Sequence, residues 1–371
     1  MSTISISRRK FAQLLGVGAA AAVVRPAFSL ATEPLARSTS SGVVRLSANE
    51  NPYGPSAKAH KAMQNAFDVC CRYPDVQNEV LIGKLAKING VSSEQIALGD
   101  GSGEILKLCA ETFTGPQQGK LVAADPTFEA ILEYSKANGA EVVKVPLAPN
   151  YSHDLDKMGA AAKQGLIYIC NPNNPTASIT PKNELRSFIE KTPAETTILV
   201  DEAYFHYADG SDYESVIPLI KDHANLIVAR TFSKIYGMAG LRCGYAVAQK
   251  ETIQRMHPFQ MWDSVNIMAL AAASASLDDA DQVANGRKLN SEAKAFVTGE
   301  LDKMGYKQIP SQANFIMFDC KRPVVPIIKG MKDRNVQVGR LFPALPNHMR
   351  LTIGKKSEME SFLAAFRQVV A

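Results

Sequence analysis

An α/β fold with a large, mostly parallel sheet and a smaller α+β domain is what this 371-residue sequence predicts. Three observations lead there. Between about Gln95 and Ala248, short apolar runs alternate with helical stretches, so strand and helix take turns along the chain. Several runs are apolar at consecutive positions, as strands covered on both faces must be. Beyond about Asp263 the texture changes to long helical patterns separated by isolated short strands.

In chain order, strands are predicted at Lys120 to Ala124, Glu141 to Val145, Leu166 to Cys170, Thr197 to Val200, Leu226 to Ala229 and Gly244 to Val247. Helical patterns intervene at Glu104 to Thr112, Phe128 to Asn138 and Pro181 to Lys191. The last is expected to begin with Thr180 as N-cap and Pro181 at its first helical position. The Ala-rich run Ile267 to Leu277 and the amphipathic Asn285 to Met304 predict two further helices. Short strands follow at Phe315 to Asp319, Val336 to Gly339 and Met349 to Ile353, and a helix Ser357 to Val369 ends the chain. Its charged residues Glu358, Glu360 and Arg367 need no more than a solvated face. There is no internal repeat.

Composition is ordinary for a globular protein, with 46% hydrophobic and 21% charged residues. The length suits two domains and supplies a core without a disulfide or metal staple. No run approaches about 18 consecutive apolar residues, so no spanning helix and no stable membrane anchor are expected. Four of the five net positive charges come from Arg8, Arg9, Lys10 and Arg25, within an acid-free stretch of residues 1–31. The remainder carries a net charge of only +1, which gives no electrostatic reason to expect nucleic acid as a partner.

That N-terminal stretch reads as an address. Ser7-Arg8-Arg9-Lys10-Phe11 precedes the apolar run Leu14 to Val24, and small residues follow, with cleavage sites at Ala27-Phe28-Ser29 or Ser29-Leu30-Ala31. Charged head, short apolar middle and small-residue end describe a secretory signal. The paired arginines resemble a twin-arginine signal, which implies export of a folded protein to the periplasm. The alternative is a basic tail or short helix. Residues 38–41 read as a post-signal linker.

The six cysteines, Cys70, Cys71, Cys109, Cys170, Cys243 and Cys320, match no zinc spacing and read as small buried hydrophobes. His153, His206, His223 and His257 show no ligand spacing, so no metal is expected. They read as surface or packing residues.

Chemistry concentrates in three segments, each closing an apolar strand. Thr231-Phe232-Ser233-Lys234 leads to Arg242, setting a lysine among hydroxyls beside a cation. Partial burial of such a lysine lowers its pKa towards imine formation, while hydroxyls and arginine hold a phosphate. Asp201-Glu202-Ala203-Tyr204 puts a carboxylate at a strand's carboxyl end, where parallel sheets bind ligands. Asn171-Pro172-Asn173-Asn174-Pro175-Thr176-Ala177 is a turn-rich loop able to present an amide. Any one of these is ordinary turn chemistry; three in order form a constellation. Gly99-Asp100-Gly101-Ser102-Gly103 lacks the G-x-G-x-x-G spacing of a dinucleotide site.

These segments resemble those of pyridoxal-phosphate-dependent aminotransferases of classes I and II, in the histidinol-phosphate aminotransferase branch. Matching stretches also occur at Leu46 to Pro55, Arg72 to Asp75, Ala313 to Phe315 and Met349 to Gly354, so the resemblance runs from Val44 onward. It implies the PLP fold type I, aspartate aminotransferase-like, with pyridoxal 5'-phosphate as cofactor. Residues 67–272 would form the large cofactor-binding domain. Residues 32–66 would form an arm and part of the small domain, which 273–371 complete.

As the resemblance implies, Lys234 would hold the cofactor's aldehyde as an imine and then shuttle a proton. Asp201 would pair with the pyridine nitrogen and keep the ring an electron sink. Tyr204 and Asn174 would bond the ring oxygen, and Phe128 would stack on the ring. Ser102 and Gly103 would cradle the phosphate at a helix N-terminus, with Thr231, Ser233 and Arg242 completing that site. Tyr73 would reach it from the neighbouring subunit of a homodimer. Arg350 would clamp a substrate carboxylate, and Tyr53, Asn314 and Arg340 would line the substrate pocket.

The implied reaction moves an amino group from a small-molecule donor to a 2-oxo acid such as 2-oxoglutarate, by a ping-pong mechanism. An amino-acid decarboxylase or lyase of the same fold is the alternative, and a non-catalytic binding protein is a third reading. Two departures from the family pattern stand out. Ala177 replaces a glycine after Asn-Pro-Thr, and Gly103 stands where an aspartate is common.

Overall fold

The computed structural model describes residues 42–371, so the signal-like stretch and the linker lie outside the described residues. Seven strands form the main sheet: β2 (Ile96–Gly99), β3 (Lys120–Asp125), β4 (Val142–Pro146), β5 (Gly165–Cys170), β6 (Thr196–Asp201), β7 (Leu226–Thr231) and β8 (Gly244–Val247). Their spatial order is β2-β8-β7-β6-β5-β3-β4. Pairing is parallel from β4 through β7, while β8 runs antiparallel to both β7 and β2. Every residue of β5, β6 and β7 is buried, which explains the unbroken apolar runs.

Side chains alternate between the two faces. Ile167, Ile169, Ile198, Val200 and Val228 enter one core, and Leu166, Tyr168, Leu199, Ile227 and Ala229 the other. Helix Gly101–Phe113 covers the second core with Ile105, Leu106 and Cys109. Helix Ile267–Leu277, with bounds as its sequence predicts, packs into the first.

A smaller core lies towards the C-terminus. The antiparallel pair β9 (Phe315–Asp319) and β11 (His348–Thr352) packs with helices Ala280–Lys303, Val324–Lys332 and Lys356–Val370. Phe318, Phe362 and Phe366 interlock there, the last two stacked at 5.4 Å. Burying each such ring contributes about 1.5–3 kcal/mol. The two-residue strand β1 (Val44–Arg45) pairs in parallel with β10 (Val336–Gln337). Leu46 then drops into this core, so the N-terminal segment is anchored before it crosses to the sheet edge. Residues 43–371 form one compact unit.

The structure corrects some local expectations. Pro181 is itself the N-cap of helix Lys182–Lys191, with extended backbone at ψ 138°. Thr180 is buried instead, and its hydroxyl lies 2.7 Å from His153 Nδ1. Strand β2, a four-residue apolar run with no decisive period, and helices Ala57–Ala66 and Asp75–Asn89 have no counterpart in the prediction. Of the cysteines, Cys109, Cys170, Cys243 and Cys320 are buried as expected, but Cys70 and Cys71 are exposed where the chain leaves a short 3-10 turn. All six are free thiols. His153 and His206 are packing residues; burial first, then neighbouring arginines, pushes His206 down to about 3.

Ala177 adopts the left-handed conformation, φ 60°, that its sequence position disfavours. Hydrogen bonds on both sides hold it there: its N–H donates to Asn173 at 2.7 Å and its carbonyl accepts from Gln312 at 2.8 Å.

Candidate active site

Strands β2, β3, β5, β6 and β7 all run in one direction, so their carboxyl ends share one edge of the sheet. Chain order reverses beside β3, because β4 lies on one side of it and β5 on the other. Such a switch point opens a crevice at the carboxyl edge. A cavity of about 620 Å³ fills it. Every strand of the five sends a segment to its wall: Ser102 and Gly103 after β2, Thr127 to Glu129 after β3, Asn174 after β5, Asp201 and Tyr204 from β6, and Thr231, Ser233 and Lys234 from β7. Ser47 to Asn49 close it from the N-terminal segment, and Arg340, Phe342 and Arg350 from the smaller core. A wider groove of about 1060 Å³ between helices Leu155–Ala161 and Lys182–Lys191 holds none of the site residues expected from sequence.

Lys234 Nζ donates to the carbonyls of Asn49 at 3.3 Å and Ala48 at 3.5 Å, and lies 5.5 Å from the centre of the Tyr204 ring. Desolvation, reinforced by the charge of Arg350, brings its pKa down to about 8. Lowering favours the free amine, which predominates above that value. Labelling of Lys234 by a small amine-reactive reagent in the cofactor-free protein is therefore expected to rise with pH through a midpoint near 8, against 10.5 for an ordinary lysine. Peptide mapping across a pH series checks this.

Asp201 is buried at the end of β6. Desolvation pushes its carboxyl up to about 6, outweighing the hydrogen bonds it accepts from Tyr168 Oη at 2.9 Å and the Ala203 N–H at 3.1 Å. Tyr204 Oη accepts from Asn49 Nδ2 at 3.1 Å and Asn174 Nδ2 at 3.4 Å. Burial raises the Tyr204 pKa, so its hydroxyl stays protonated. Arg350 is aimed by two acceptors, Asn174 Oδ1 at 2.7 Å and the Ser47 carbonyl, and its Nε is buried without a partner.

At the opposite end, Arg242 takes a left-handed backbone, φ 60°, and reaches Ser233 Oγ, the Ala239 carbonyl and the Asp100 carbonyl. Thr231 Oγ1 donates to Ser233 Oγ at 2.9 Å. Gly101 begins the helix at φ 72°, and a Cβ there would come 2.2 Å from Arg242 Nη2. That glycine is required by the guanidinium as well as by its own φ. At Gly103 a Cβ would meet only Arg242 Nη2, at 3.7 Å, so this departure from the family pattern leaves room above the helix start.

This donor set fits pyridoxal phosphate. First-turn N–H groups, two hydroxyls and an arginine converge where a phosphate would sit. Asp201 is a buried acid with no salt-bridge partner among the described residues, as suits a carboxylate that meets a protonated ring nitrogen. Lys234 stands between them, with Phe128 on the wall.

The cavity brings together Ser102, Gly103, Phe128, Asn174, Asp201, Tyr204, Thr231, Ser233, Lys234, Arg242, Arg340 and Arg350. Three expected residues stand elsewhere. Tyr73 is 80% exposed, beside Trp262. Tyr53 borders a separate shallow cleft near Ile235. Asn314 is buried behind the wall, where its Nδ2 donates to the Asn49 carbonyl at 3.0 Å. Sequence reasoning missed Asn49, Tyr168 and Glu129. Asn49 lies in the matching stretch Leu46 to Pro55, which was its one signal.

Residues 41–366 match the model of the family described as aminotransferase class I and II. The chain belongs to the class I and II aminotransferases. As a member it is a pyridoxal-phosphate-dependent transaminase of fold type I. It is 37% identical over 334 residues to histidinol-phosphate aminotransferase of Moorella thermoacetica, covering 89% of this chain and 86% of that one. It is 39% identical over 330 residues to histidinol-phosphate aminotransferase 1 of Dechloromonas aromatica, covering 88% and 90%. Among solved structures, the histidinol-phosphate aminotransferase of Sinorhizobium meliloti in complex with pyridoxal-5'-phosphate superimposes with a TM-score of 0.83 at 27% identity, over 88% of this chain and 91% of that one. In this aminotransferase the loops that carry the lysine, the acid and the phosphate donors therefore share one sheet edge and one cavity.

Proposed function

We propose that this aminotransferase is histidinol-phosphate aminotransferase-like and moves an amino group from a small-molecule donor to a 2-oxo acid, 2-oxoglutarate foremost, in two half-reactions at one site. The observation that carries this is the placement of Lys234 in one cavity with Asp201, Asn174, Tyr204, Arg242 and Arg350. When bound, pyridoxal phosphate supplies an aldehyde that condenses with amines and a ring that accepts the electrons of a bond broken at the amine-bearing carbon.

The chain's own residues do the rest. Lys234 would hold the aldehyde through its Nζ, and the released amine would accept and return a proton at the substrate carbon. Asp201 would hold the proton on the ring nitrogen, and Asn174 and Tyr204 would orient the ring oxygen. Ser102, Gly103, Thr231, Ser233 and Arg242 would hold the phosphate. Arg350 takes the substrate carboxylate, since Asn174 and Ser47 already fix its fork.

The exposed Tyr73, Trp262 and Phe67 support a homodimer in which Tyr73 serves the partner's site. In this reading residues 67–272 are the cofactor-binding domain and 273–371 the small domain, with 32–66 an N-terminal arm and part of that small domain, of which 32–41 lie outside the described residues. The twin-arginine-like start supports export to the periplasm after folding.

Adding an amino donor to the purified holoprotein without acceptor is expected to convert the bound cofactor stoichiometrically to pyridoxamine phosphate, and 2-oxoglutarate is expected to reverse it. Release of CO₂ without that conversion would replace transfer by decarboxylation.

A further inference from the structure

One residue in the cavity wall has every polar group it owns committed. Asn49 is buried, and its backbone takes the left-handed region, φ 55°, which asparagine tolerates better than most residues. Its carbonyl accepts from Lys234 Nζ at 3.3 Å and from Asn314 Nδ2 at 3.0 Å. Its N–H donates to Thr352 Oγ1 at 2.9 Å, and its side chain bridges Thr352, at the end of β11, and Tyr204, beyond β6.

Chemistry fixes which way each of these bonds points. Arg350 has only hydrogens to give, so the Asn174 atom 2.7 Å from its Nη1 is the amide oxygen, and the amide nitrogen faces Tyr204 Oη at 3.4 Å. Thr352 Oγ1 accepts the Asn49 N–H and gives its own hydrogen to Asn49 Oδ1 at 3.2 Å. The Asn49 amide nitrogen therefore faces Tyr204 Oη as well, at 3.1 Å. A hydroxyl accepts at most two hydrogen bonds and donates one. With two amides donating to it, Tyr204 Oη has only its hydrogen left to offer, on the wall of the cavity. We infer that Asn49, held by Thr352, is a positioning residue: it acts through Tyr204 and makes that hydroxyl an obligate donor to the ring oxygen of the bound cofactor. The inference rests on the pyridoxal-phosphate reading of the cavity.

Two other arrangements of Tyr204 are shut off in this way. A flipped Asn49 amide would offer its oxygen and capture the phenolic hydrogen; Thr352 prevents this by keeping that oxygen supplied with a donor. A residue without an amide at position 49 would leave the hydroxyl free to rotate. Either change takes a donor away from the negative ring oxygen. That oxygen then holds more tightly the proton it shares with Lys234 Nζ, and the proton leaves at a higher pH.

The visible absorption of the holoenzyme, titrated with pH in the absence of substrate, follows that proton. Tyr204→Phe is expected to raise the midpoint by about one pH unit, the loss of one hydrogen bond to a charged group. Asn49→Gly keeps a left-handed backbone, and with it the carbonyl on Lys234, but removes the amide; it is expected to raise the midpoint by about half a unit. Thr352→Val, nearly the same shape without the hydroxyl, frees the amide to turn and should shift the midpoint the same way, which keeps the test open if glycine impairs folding. Thr352→Ser, which retains the hydroxyl, should leave it in place. The decisive comparison is Asn49→Gly in the Tyr204→Phe background, where no further shift is expected because the partner of the amide is gone; a general loosening of the site would still move the midpoint there. An unmoved midpoint in Asn49→Gly and Thr352→Val, or an Asn49→Gly shift that persists undiminished without the phenol, overturns the assignment. The spectrum also separates the two levels. No visible band on adding pyridoxal phosphate to the unaltered protein overturns the reading of the cavity, whereas a normal band with an unmoved midpoint in the variants overturns the role of Asn49 alone.

Discussion

Replacing Lys234 by alanine is expected to lower turnover by at least about ten-thousandfold, since a positioned proton-transfer group by itself contributes about 10² to 10⁴ and this side chain is also the attachment point for the cofactor. Its amine is the one group in the cavity that is both nucleophilic and tuned, with burial bringing it down to about 8. Removing it leaves the Ala48 carbonyl without that donor, while the Asn49 carbonyl keeps Asn314 Nδ2, a small structural cost at a part-buried position. The phosphate donors Arg242, Thr231 and Ser233 stay in place, so the cofactor should still bind, with its visible absorption altered. Stopped-flow turnover and an absorption spectrum of Lys234→Ala check both statements together. A variant that keeps more than about one per cent of turnover and an unchanged spectrum would remove Lys234 from the mechanism.

Glu202→Ala is expected to destabilise the fold by about 3–5 kcal/mol, the cost of leaving a buried charge without its partner. Glu202 and Arg230 are both buried, and two nitrogens of Arg230, Nη2 and Nε, lie 2.8 and 3.0 Å from Glu202 Oε2. Ser215 Oγ donates to the same carboxylate at 2.9 Å, and the Val216 N–H reaches Oε1 at 2.9 Å. Arg230 further binds Asn89 Oδ1 and lies 3.6 Å from the centre of the Phe205 ring. Alanine at position 202 would leave that guanidinium buried without its carboxylate, at the residue that follows Asp201 in sequence. The double replacement Glu202→Met with Arg230→Met should recover most of the loss, because both desolvated charges then disappear. Chemical denaturation of the three proteins measures it. A loss under about 1 kcal/mol for the single variant would show that Arg230 finds another partner.

The legible parts of this molecule are those whose signal is local. Strands β5, β6 and β7 carry the apolar runs Leu166 to Cys170, Ile198 to Val200 and Leu226 to Ala229 because both faces are covered, and the polar segments that close them mark where the sheet meets the cavity. Helix Ile267–Leu277 follows from its own Ala-rich composition. Other features depend on partners far away in sequence. Tyr168 reads as one more core aromatic, and only the register that sets Cys170 opposite Asp201 brings its hydroxyl to that carboxylate. Asn49 bonds Tyr204, Thr352, Lys234 and Asn314 at once, and no spacing in the chain announces this. Pro181 shows the opposite error: a sound capping rule applied one residue early, because Thr180 is committed to His153 in the core.

By itself the sequence determined the fold class, the order of the strands' closing segments and the identities of the lysine, acid, amide and arginine, since side-chain chemistry and hydrophobic period are carried by neighbouring residues. Only the tertiary structure decided which side chains share the cavity, sending Asn314 behind its wall and Glu129 onto it. It alone moved Lys234 down to about 8 and Asp201 up to about 6. Desolvation and charge–charge interaction depend on distances through space, and those distances exist only once the sheet edge, the N-terminal segment and the C-terminal core meet.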